Sequence, residues 1–598
     1  MLQEKTPKDT YTQQVSELSA TLKKYRSKRS LLGWLRLAIV LGIILAVYSL
    51  FFSNTVIVWL LTFAAIGVFL YTLSVDTNNN SKISFLEKLS AINQEELAIM
   101  DGQYYQRETG IDYLPKEHPY AADIDLFGTA SLYQYINRCT SQQSKHRFAD
   151  LLLNHSEKKE IMERQEAAKA LSVELEWRQQ FQVSGMTFPL TNETEEKIKL
   201  WIAMPAVLTT NIWKILPSIF TVITSVSVGA YVFNVIPTPV FSLLVFIYFL
   251  FANYTSGKVT ATHKALSKIE TEVNTIEEQL KQVERIPATA VLLNAYKNRL
   301  ISTKAGSAST SELKQILKRF DFRLNVYVFA IINTLLLWDV RQMNSLNKWK
   351  EKYATAVPDW FEILVNVEVI NTLAILTYNH PDWIFPVIAN EHFTFKGEQV
   401  GHPLIEAKKR VNNSFSTNGI GKVNIITGSN MAGKSTFLRS IGVNMILAQM
   451  GSPVCAKEFT CSLVYLYSSM RIADNLAENT STFYAELKKL KSIIDQVKEH
   501  RKVFILLDEI LRGTNSLDRH TGSEALIKQL IREDAVAIIA THDVELATLE
   551  NTFSPAISNY HFDVQVAGEE LYFDYKLKRG VCQSMNASLL MKKIGIEM

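Results

Sequence analysis

The order of hydrophobic and polar positions divides the chain into three kinds of segment. Two long stretches contain no charged residue: 39 residues lie between Arg36 and Asp76, and 43 residues lie between Lys214 and Lys258. In much of the sequence around them, apolar residues recur at helical spacing with charges on the opposite face, which predicts amphipathic helices. From about Gly401 onward, short β-rich runs alternate with helical runs, and this alternation predicts an α/β domain with a parallel sheet.

Each uncharged stretch is long enough for two membrane-spanning helices, because a bilayer core takes about 20 apolar residues per helix. A polar turn at residues 53–55 divides the first stretch, and the proline-containing segment 234–239 (NVIPTP) divides the second. We therefore predict one transmembrane hairpin over residues 31–75 and another over residues 214–257, which gives four transmembrane helices. The alternative, two pairs of helices buried in a large soluble protein, is weaker because soluble cores rarely run so long without a charge.

The charges beside the hairpins predict their orientation. Both tight turns are uncharged, whereas basic residues precede the first hairpin: Lys23, Lys24, Arg26, Lys28, Arg29 and Arg36. Since basic flanks stay in the cytoplasm, we expect a cytoplasmic N-terminal tail over residues 1–30 and a cytoplasmic C-terminal domain, in a multi-pass protein of the cell (inner) membrane. The polar start of the chain does not resemble a cleavable signal peptide. A further apolar run, Leu324 to Trp338, has only 15 residues, so we expect a core helix rather than a fifth crossing.

Helical patterns fill the rest of the chain before the α/β region. We assign residues 76–213 and 258–400 to the two parts of a helical core domain. The charged segment His263–Ile286 fits either a short coiled-coil arm or a helix packed on one side. The cysteines lack CxxC pairing and zinc spacing, which indicates buried thiols in a reducing compartment: Cys139, Cys455, Cys461 and Cys582. The net charge of +4 gives no general basic excess for binding nucleic acid.

One segment of the α/β region has the pattern of a phosphate-binding loop. Residues 428–435, GSNMAGKS, fit GxxxxGK[ST], with the strand-like run VNIIT before them and a helical run after them. In such a loop the glycines let backbone N–H groups surround phosphate oxygens, and the following helix adds partial positive charge. Lys434 is expected to reach the β- and γ-phosphates of ATP, and the Ser435 hydroxyl to bind Mg²⁺. The predicted nucleotide-binding residues here are Gly428, Ser429, Asn430, Met431, Ala432, Gly433, Lys434, Ser435 and Thr436.

Two later strands are expected to complete an ATP-hydrolysing site. The apolar run Val503–Leu507 ends in two carboxylates. We predict that Asp508 holds Mg²⁺ and that Glu509 is the catalytic base, the alternative being an acidic helix cap. A third strand-like run is followed by His542, which we predict to sense the γ-phosphate. Together these patterns predict a Mg²⁺-dependent ATP hydrolase.

Four segments around these residues carry a family resemblance: TGSNMAGKSTFLR, SSMRIADNLAENTSTFYAEL, LLDEILRGTNSLD and ATHDVEL. They resemble the MutS family of DNA mismatch-repair proteins, and similarity to the family's helical core begins at about Asp123. The resemblance implies a C-terminal α/β P-loop NTPase domain of the ABC/MutS type over residues 401–598, preceded by an all-α core domain that the transmembrane hairpins interrupt. It also implies a homodimer with composite ATP sites. In such a dimer Ser481 reaches the γ-phosphate of the opposite subunit as a catalytic residue, and Asn413 lies on the adenine side.

The sequence also departs from the MutS pattern. The family's mismatch-reading domain precedes its core, but here about 120 residues precede Asp123, and many of them form the first hairpin. The family's DNA clamp is inserted within the core, where this chain has the second hairpin and one short charged helix. These departures predict no mismatch recognition. They also argue against non-specific DNA binding, because a clamp without basic arms lacks the phosphate contacts that supply most of such affinity.

Two functions fit these features. The first is a membrane-anchored MutS-like ATPase that binds DNA in a DNA-repair-related role. The second is an ATP-driven, membrane-bound conformational module, in which dimer opening and closing moves the hairpins or a protein partner without DNA. An ABC-type transporter is disfavoured, since the sequence has no LSGGQ-like segment and four crossings interrupted by a soluble domain make a poor pore.

Overall fold

The computed structural model describes residues 5–50, 56–266, 269–287, 289–302, 305–391, 393–429, 431–471, 482–499, 502–567 and 570–582. The chain forms two compact units. Unit 1 comprises Met1–Gln103 and Leu175–Pro189, and unit 2 comprises Tyr104–Glu174 and Leu190–Met598. The first predicted hairpin belongs to unit 1, whereas the second hairpin and the α/β region belong to unit 2.

Unit 1 is built on two long helices, α1 (Pro7–Leu50) and α2 (Val56–Met100), with a third helix, α6 (Leu175–Gly185), beside them. Three ion pairs link α1 and α2 in antiparallel order: Lys8–Asp101, Arg26–Glu87 and Arg36–Asp76. Helix α6 packs against α2, and the Gln179 side-chain amide donates a hydrogen bond to Asn93 Oδ1 (3.0 Å). The unit is therefore a long helical pair with one helix packed on its polar end.

The apolar parts of α1 and α2 fit the predicted first hairpin, and both helices continue well beyond it. Since α1 begins at Pro7, most of the predicted tail of residues 1–30 is helical. By length and composition, five helical segments of the described residues are able to cross a membrane: Pro7–Tyr48, Val58–Met100, Asn211–Val232, Thr238–Leu266 and Trp338–Asn379. The apolar window of the last is 78% buried inside the protein, against at most 22% for the others. Each of the four exposed segments overlaps one of the four predicted crossings, which stay predictions.

The first part of unit 2 is helical. Its helices are α3 (Leu132–Ile136), α4 (Gln142–Leu153), α5 (Lys158–Ser172), α7 (Asn192–Ala203), α8 (Asn211–Val232), α9 (Thr238–Leu266), α10 (Glu270–Glu284), α11 (Val291–Ser302), α12 (Ser307–Phe320), α13 (Val326–Leu336), α14 (Trp338–Tyr353) and α15 (Val357–Asn379). Helix α15 is central, because it is buried along most of its length and packs against α4, α5 and α10. Helices α8 and α9 turn at residues 233–237, as the prolines predict.

The apolar run Leu324–Trp338 differs from its prediction as a core helix. It forms the 11-residue helix α13, one face of which is exposed, with Val326 at 72%, Tyr327 at 85% and Ile331 at 63% exposure. The opposite face, which includes the buried Asn333, packs against α8 and α9. The prediction was wrong because an apolar run indicates a preference for an apolar environment but does not identify what covers it.

Two smaller predictions are also tested in unit 2. The charged segment His263–Ile286 forms the end of α9 and helix α10, whose Val273, Ile276 and Leu280 are buried in packing that includes α12. The helix packed on one side is therefore the correct alternative, and the coiled-coil arm is wrong. All four cysteines are buried, as predicted, and burial raises the pKa of Cys461 to about 12.

The α/β region has two sheets. Its strands are β1 (Val387–Ala389), β2 (Thr394–Val400), β3 (Asn413–Asn418), β4 (Lys422–Thr427), β5 (Glu458–Ser462), β6 (Tyr465–Ser469), β7 (Val503–Asp508), β8 (Val536–Thr541), β9 (Ile557–Ala567) and β10 (Glu570–Arg579). The smaller sheet has the order β1-β5-β2-β3, and the larger has the order β10-β9-β4-β8-β7-β6. Of the described strands in the larger sheet, only β10 is antiparallel to its neighbour. The predicted parallel sheet is thus confirmed for five of the six strands, although strands begin before the predicted boundary at Gly401.

Among its described residues this region also contains four α-helices: α16 (Lys434–Met450), α17 (Thr482–Lys498), α18 (Ser516–Arg532) and α19 (Leu549–Phe553). Apolar side chains of β4, β7 and β8 form one core with those of α17 and α18. The strand register pairs Thr427 with Thr541 and Asp508 with Ala540, so the carboxyl ends of β4, β8 and β7 lie side by side. Because ligands bind at the carboxyl ends of strands in such sheets, this edge is where the candidate site is expected.

Candidate nucleotide-binding site

The candidate site is built on the loop that joins β4 to α16. Gly428 has φ 152°, and a Cβ atom there would lie 2.9 Å from the Phe562 carbonyl oxygen. Gly433, immediately before α16, has φ 103°. These two positions favour glycine, which lets the loop turn sharply from strand to helix. The predicted residue Asn430 lies outside the described residues.

The side chain of Lys434 points back into this loop. Its ammonium group donates hydrogen bonds to the carbonyl oxygens of Gly428 (2.8 Å) and Ser429 (3.0 Å). It also lies 3.4 Å from His542 Nε2. The residue is buried, and burial lowers the pKa of the ammonium group. A buried cation held by carbonyl dipoles is well placed to compensate a bound anion.

Glu509 directly follows β7 and is held by several contacts. Its backbone N–H donates to the Ala540 carbonyl oxygen (2.9 Å), and its φ of 51° turns the chain away from the strand direction. Its carboxylate lies 2.5 Å from His542 Nε2 and 3.1 Å from Arg512 Nε. The hydrogen bond with His542 holds the pKa of Glu509 below its ordinary value. The carboxylate is therefore ionised at neutral pH, which a general base requires.

Asp508 is the buried last residue of β7. Its Oδ1 atom has no hydrogen-bond partner among the described residues. A buried carboxylate oxygen without a partner is costly, and Mg²⁺ prefers oxygen ligands. Ser435, in the first turn of α16, offers a hydroxyl oxygen to the cavity in front of the loop. The donor set of Asp508 and Ser435 therefore fits a magnesium ion.

A cavity of about 460 Å³ lies against the loop. The predicted site residues that line it are Asn413, Ser429, Met431, Ala432, Gly433, Lys434, Ser435, Thr436 and Glu509. A second cavity, of about 440 Å³, shares Glu509 and is lined by His542. The fold thus brings together most of the residues that the sequence predicts. Asp508 is not among the residues lining either cavity, and Ser481 lies outside the described residues.

Sequence reasoning missed Tyr575, which lines the cavity from β10. Its ring lies 3.1 Å from the position that a Cβ atom of Gly433 would occupy. The Asn413 side chain donates to the Tyr575 carbonyl oxygen (3.0 Å) and accepts from the Leu577 N–H (2.8 Å). Asn413 therefore fixes the β9–β10 hairpin against the site. No local sequence pattern links Tyr575 to the loop, because the two are far apart along the chain.

Glu486 is a second missed residue. It is buried in α17, and its carboxylate accepts hydrogen bonds from the backbone N–H groups of Leu511 (2.5 Å) and Arg512 (3.2 Å). Burial raises the pKa of this carboxyl. Leu511 has φ 60°, so these two bonds hold an unusual backbone conformation just after Glu509. Glu486 lies in the segment SSMRIADNLAENTSTFYAEL, which was singled out for its serine.

Comparisons with known proteins agree with this architecture. Residues 424–593 match the family model described as MutS domain V. The chain is 32% identical over 243 residues to the DNA mismatch repair protein MutS of Thermotoga sp. (strain RQ2), which covers 39% of this chain and 29% of that protein. It is 32% identical over 222 residues to the protein of the same name from Aquifex pyrophilus (36% and 25%), and 34% identical over 212 residues to MutS protein homolog 4 of Homo sapiens (32% and 21%). The chain therefore spans less than a third of the length of these relatives.

The fold and the matched region define a mixed α/β domain of the ATPase type that follows a helical region. Residues 424–593 therefore form a domain similar to domain V of the MutS family. The predicted family resemblance is confirmed, whereas the roles of individual site residues stay predictions.

Proposed function

We propose that this protein is a membrane-bound, Mg²⁺-dependent ATP hydrolase whose nucleotide cycle moves its membrane helices. The observation that supports hydrolysis best is the convergence of Lys434, Glu509 and His542 at one sheet edge, within hydrogen-bond reach of one another. The cavity of about 460 Å³ beside them is of the size that small ligands and cofactors occupy. The same convergence favours phosphate chemistry over a purely structural role.

Each side chain has a proposed task. The loop N–H groups and Lys434 bind the β- and γ-phosphates of ATP. Ser435 and Asp508 hold Mg²⁺, which neutralises charge on the phosphate oxygens when it is bound. Glu509 accepts a proton from the attacking water at its carboxylate, and the hydrogen bond with His542 keeps that carboxylate oriented.

We also propose that the protein works as a homodimer with composite ATP sites. In this arrangement Ser481 of the partner subunit reaches the γ-phosphate, and Asn413 lies on the adenine side. The similarity to the MutS family supports the dimer. The anchoring of Asn413 to the β9–β10 hairpin supports a wall of the site that a nucleotide base contacts.

A continuous series of packed helices supports coupling of this site to the second hairpin. Helix α16 packs against α4 and α5, and Arg164 on α5 donates a hydrogen bond to the Met450 carbonyl oxygen at the end of α16 (2.9 Å). Helix α15 packs against α4 and α5, and its Glu368 carboxylate accepts a hydrogen bond from the Ser141 hydroxyl (2.7 Å). Helix α14, which leads into α15, packs against α8 and α9. Closure around a nucleotide would therefore act on α8 and α9 through side chains already in contact.

We propose a location in the cell (inner) membrane, with hairpins at residues 31–75 and 214–257 and with both the N-terminus and the ATPase domain of residues 401–598 in the cytoplasm. The exposed apolar windows of the four helical segments support this topology. The basic residues before the first hairpin support its direction.

Full-length protein in lipid nanodiscs tests the hydrolase directly. We expect ATP turnover that requires Mg²⁺ and that is lost in Lys434→Ala. Turnover that persists in this variant or in excess chelator would contradict the proposal.

DNA binding is the second candidate function, because the curated relatives are named as DNA mismatch repair proteins. We propose no mismatch recognition. Binding of duplex and branched DNA measured from 50 to 200 mM salt separates the two candidates, since contacts to phosphates weaken steeply with salt. Salt-dependent binding that also stimulates ATP turnover favours the DNA function, and no binding at 50 mM favours the conformational module.

A further inference from the structure

Helix α13 presents an exposed apolar face that ATP hydrolysis does not require. Tyr327, Val328 and Ile331 are all exposed, and their spacing places them along one side of the helix. Apolar patches of this kind mark contact with a protein or a membrane rather than with water. The occupant of this face follows from where α13 lies along the second hairpin.

Hydrogen bonds fix α14 antiparallel to α8. Residue numbers fall along α14 and α13 as the numbers of their partners in α8, and in the segment before it, increase. The pairs are Lys350 with Trp201 O, Asn347 with Val207 O, Asn344 with Trp213 O, Arg341 with Pro217 O, and Leu335 O with Thr224 Oγ1. The turn between α13 and α14 therefore lies near Thr224. This position is ten residues beyond Lys214, the charged residue at the cytoplasmic end of α8.

The beginning of α13 lies near the charged end of the second hairpin. Arg323, just before the helix, donates to the hydroxyls of Ser256 and Thr260 on α9 (3.1 Å each), beside Lys258. Helix α13 thus starts close to the charged boundary of the hairpin and ends near Thr224. Ten helical residues rise about 15 Å, which is half of a bilayer core of about 30 Å.

In the turn between α13 and α14, side chains form hydrogen bonds with the backbone groups that lack helical partners. Leu337 is fully buried with φ 48°, and such an irregular backbone leaves carbonyl groups without helical partners. Thr224 Oγ1 donates to the Leu335 carbonyl oxygen (2.8 Å), and Arg341 Nε donates to that of Leu336 (3.0 Å). Asn333 Oδ1 accepts from the Asp339 N–H (3.1 Å). At membrane depth, non-helical backbone is tolerated where protein groups satisfy it in this way.

The charged side chains close to α13 are also directed at protein groups. Asp339 is fully buried and pairs with Arg323, and Ser256 donates a hydrogen bond to its carboxylate. Arg341 donates to the Pro217 carbonyl oxygen and the Thr221 hydroxyl. Ionisable groups within a membrane are found in this arrangement, directed at protein partners and away from lipid.

We propose that α13 and the start of α14 form a re-entrant element, which enters the cytoplasmic half of the bilayer beside α8 and α9 and exposes its apolar face to acyl chains. The occupant is lipid because this face continues the exposed apolar faces of α8 and α9, which carry Val226 and Phe246. We define α8, α9 and α13, together with the face of α14 that packs against them, as the membrane layer. The inference rests on the proposed membrane insertion of the second hairpin and adds a third lipid-contacting helix to it.

Site-directed spin labelling of full-length protein in phospholipid nanodiscs tests the proposal. Nitroxide labels are placed at Tyr327→Cys and Ile331→Cys on α13, at Val226→Cys on α8, and at Lys318→Cys on the exposed side of α12. The unsubstituted chain gives the background, since its four cysteines are buried. Accessibility of each label to oxygen, which concentrates in lipid, is compared with accessibility to a water-soluble nickel chelate.

We expect the α13 labels to match Val226 in favouring oxygen, and Lys318 to favour the chelate. The Ile331 label should lie about 6 Å deeper than the Tyr327 label, because it is one turn further along the helix. Chelate access at both α13 labels with Val226 in lipid would overturn the re-entrant element alone. Immobile labels that neither reagent reaches would also overturn it, since protein would then cover the face. Chelate access at Val226 would instead overturn insertion of the hairpin, and with it the proposed membrane function.

Discussion

The nucleotide edge of the larger sheet and the membrane layer use polar side chains in opposite ways. At the nucleotide edge, Lys434 and Glu509 converge on open cavities, and Asp508 Oδ1 has no hydrogen-bond partner among the described residues. In the membrane layer, Asn344 and Arg341 are directed at backbone carbonyl oxygens of α8, and the outer surface is apolar. The first region keeps polar groups available for a ligand, whereas the second uses them to satisfy backbone carbonyl groups of the protein itself.

Because of this difference, we expect substitutions in the two regions to change different properties of the protein. Loss of a polar group at the nucleotide edge should remove chemistry and leave the fold intact, because its natural partner is the ligand. Loss of a polar group in the membrane layer should cost stability and leave nucleotide affinity intact, because its partner is the protein backbone. Substitutions in each region therefore test the comparison directly.

The largest expected effect is that of Lys434→Ala. Its ammonium group is the buried cation of the loop, so ATP turnover should fall on the order of 100-fold or more. Lys422→Ala is the matched control, since Lys422 also donates to a carbonyl oxygen, that of Pro555, but at the other end of β4. A steady-state ATPase assay in nanodiscs measures both. Equal turnover in the two variants would contradict a ligand role for Lys434.

Glu509→Gln should separate binding from hydrolysis. The amide keeps the shape of the side chain but is a poor base, so turnover should fall about 100- to 10,000-fold while ATP binding is retained. Glu524→Gln on α18, where the carboxylate pairs with Lys528, is the control. Equilibrium binding of ATP and single-turnover hydrolysis give the two readouts. Wild-type turnover in Glu509→Gln would exclude this residue as the base.

Asn344→Leu tests the opposite region. Pro217 has no N–H, so the Trp213 carbonyl oxygen lacks its helical donor, and Asn344 Nδ2 supplies one at 2.7 Å. We expect a loss of about 1–3 kcal/mol in the free energy of unfolding, with unchanged ATP affinity. Denaturant unfolding of the purified protein measures the loss.

Pro217→Ala provides the internal control for this prediction. The alanine N–H restores the donor to Trp213, so Asn344→Leu should cost less in the Pro217→Ala background than in the native chain. An equal cost in both backgrounds would mean that this hydrogen bond does not compensate for the missing N–H of Pro217.

The smallest expected effect is a shift in pH dependence. The hydrogen bond with His542 lowers the pKa of Glu509, and an ionised base is active only above its pKa. In His542→Ala the Glu509 pKa should rise, so the acid limb of the ATPase pH profile should move to higher pH. His146→Ala on α4 should leave the profile in place. An unmoved acid limb in His542→Ala would contradict the assignment.

Much of the nucleotide edge was predictable because its determinants are consecutive in sequence. The strand, the glycine-containing loop and the helix around Lys434 follow one another, and the two carboxylates directly follow the apolar run of β7. Tyr575 and Glu486 were missed because they reach the site through tertiary packing. Tyr575 is 142 positions from Gly433 in sequence, and Glu486 is 25 positions from its hydrogen-bond partner Leu511.

In the membrane layer, the length of an apolar run predicted some helices correctly but not what covers α13. Apolar run length predicted α8 and α9 and the turn between them. The same criterion assigned the run containing α13 to a core, because 15 residues are too few to cross a bilayer. Whether such a short apolar helix is covered by protein depends on its neighbours, and here α8 and α9 cover one face only.

The central claim is that the nucleotide state of the sheet edge changes the membrane layer. It is tested most directly by the spectra of nitroxide labels at Val226 and Tyr327 in the Glu509→Gln protein, recorded with and without Mg²⁺-ATP and compared with Lys434→Ala. We predict that ATP changes label mobility or oxygen accessibility in Glu509→Gln and has no effect in Lys434→Ala. Identical spectra with and without ATP in Glu509→Gln protein that demonstrably binds the nucleotide would contradict the claim.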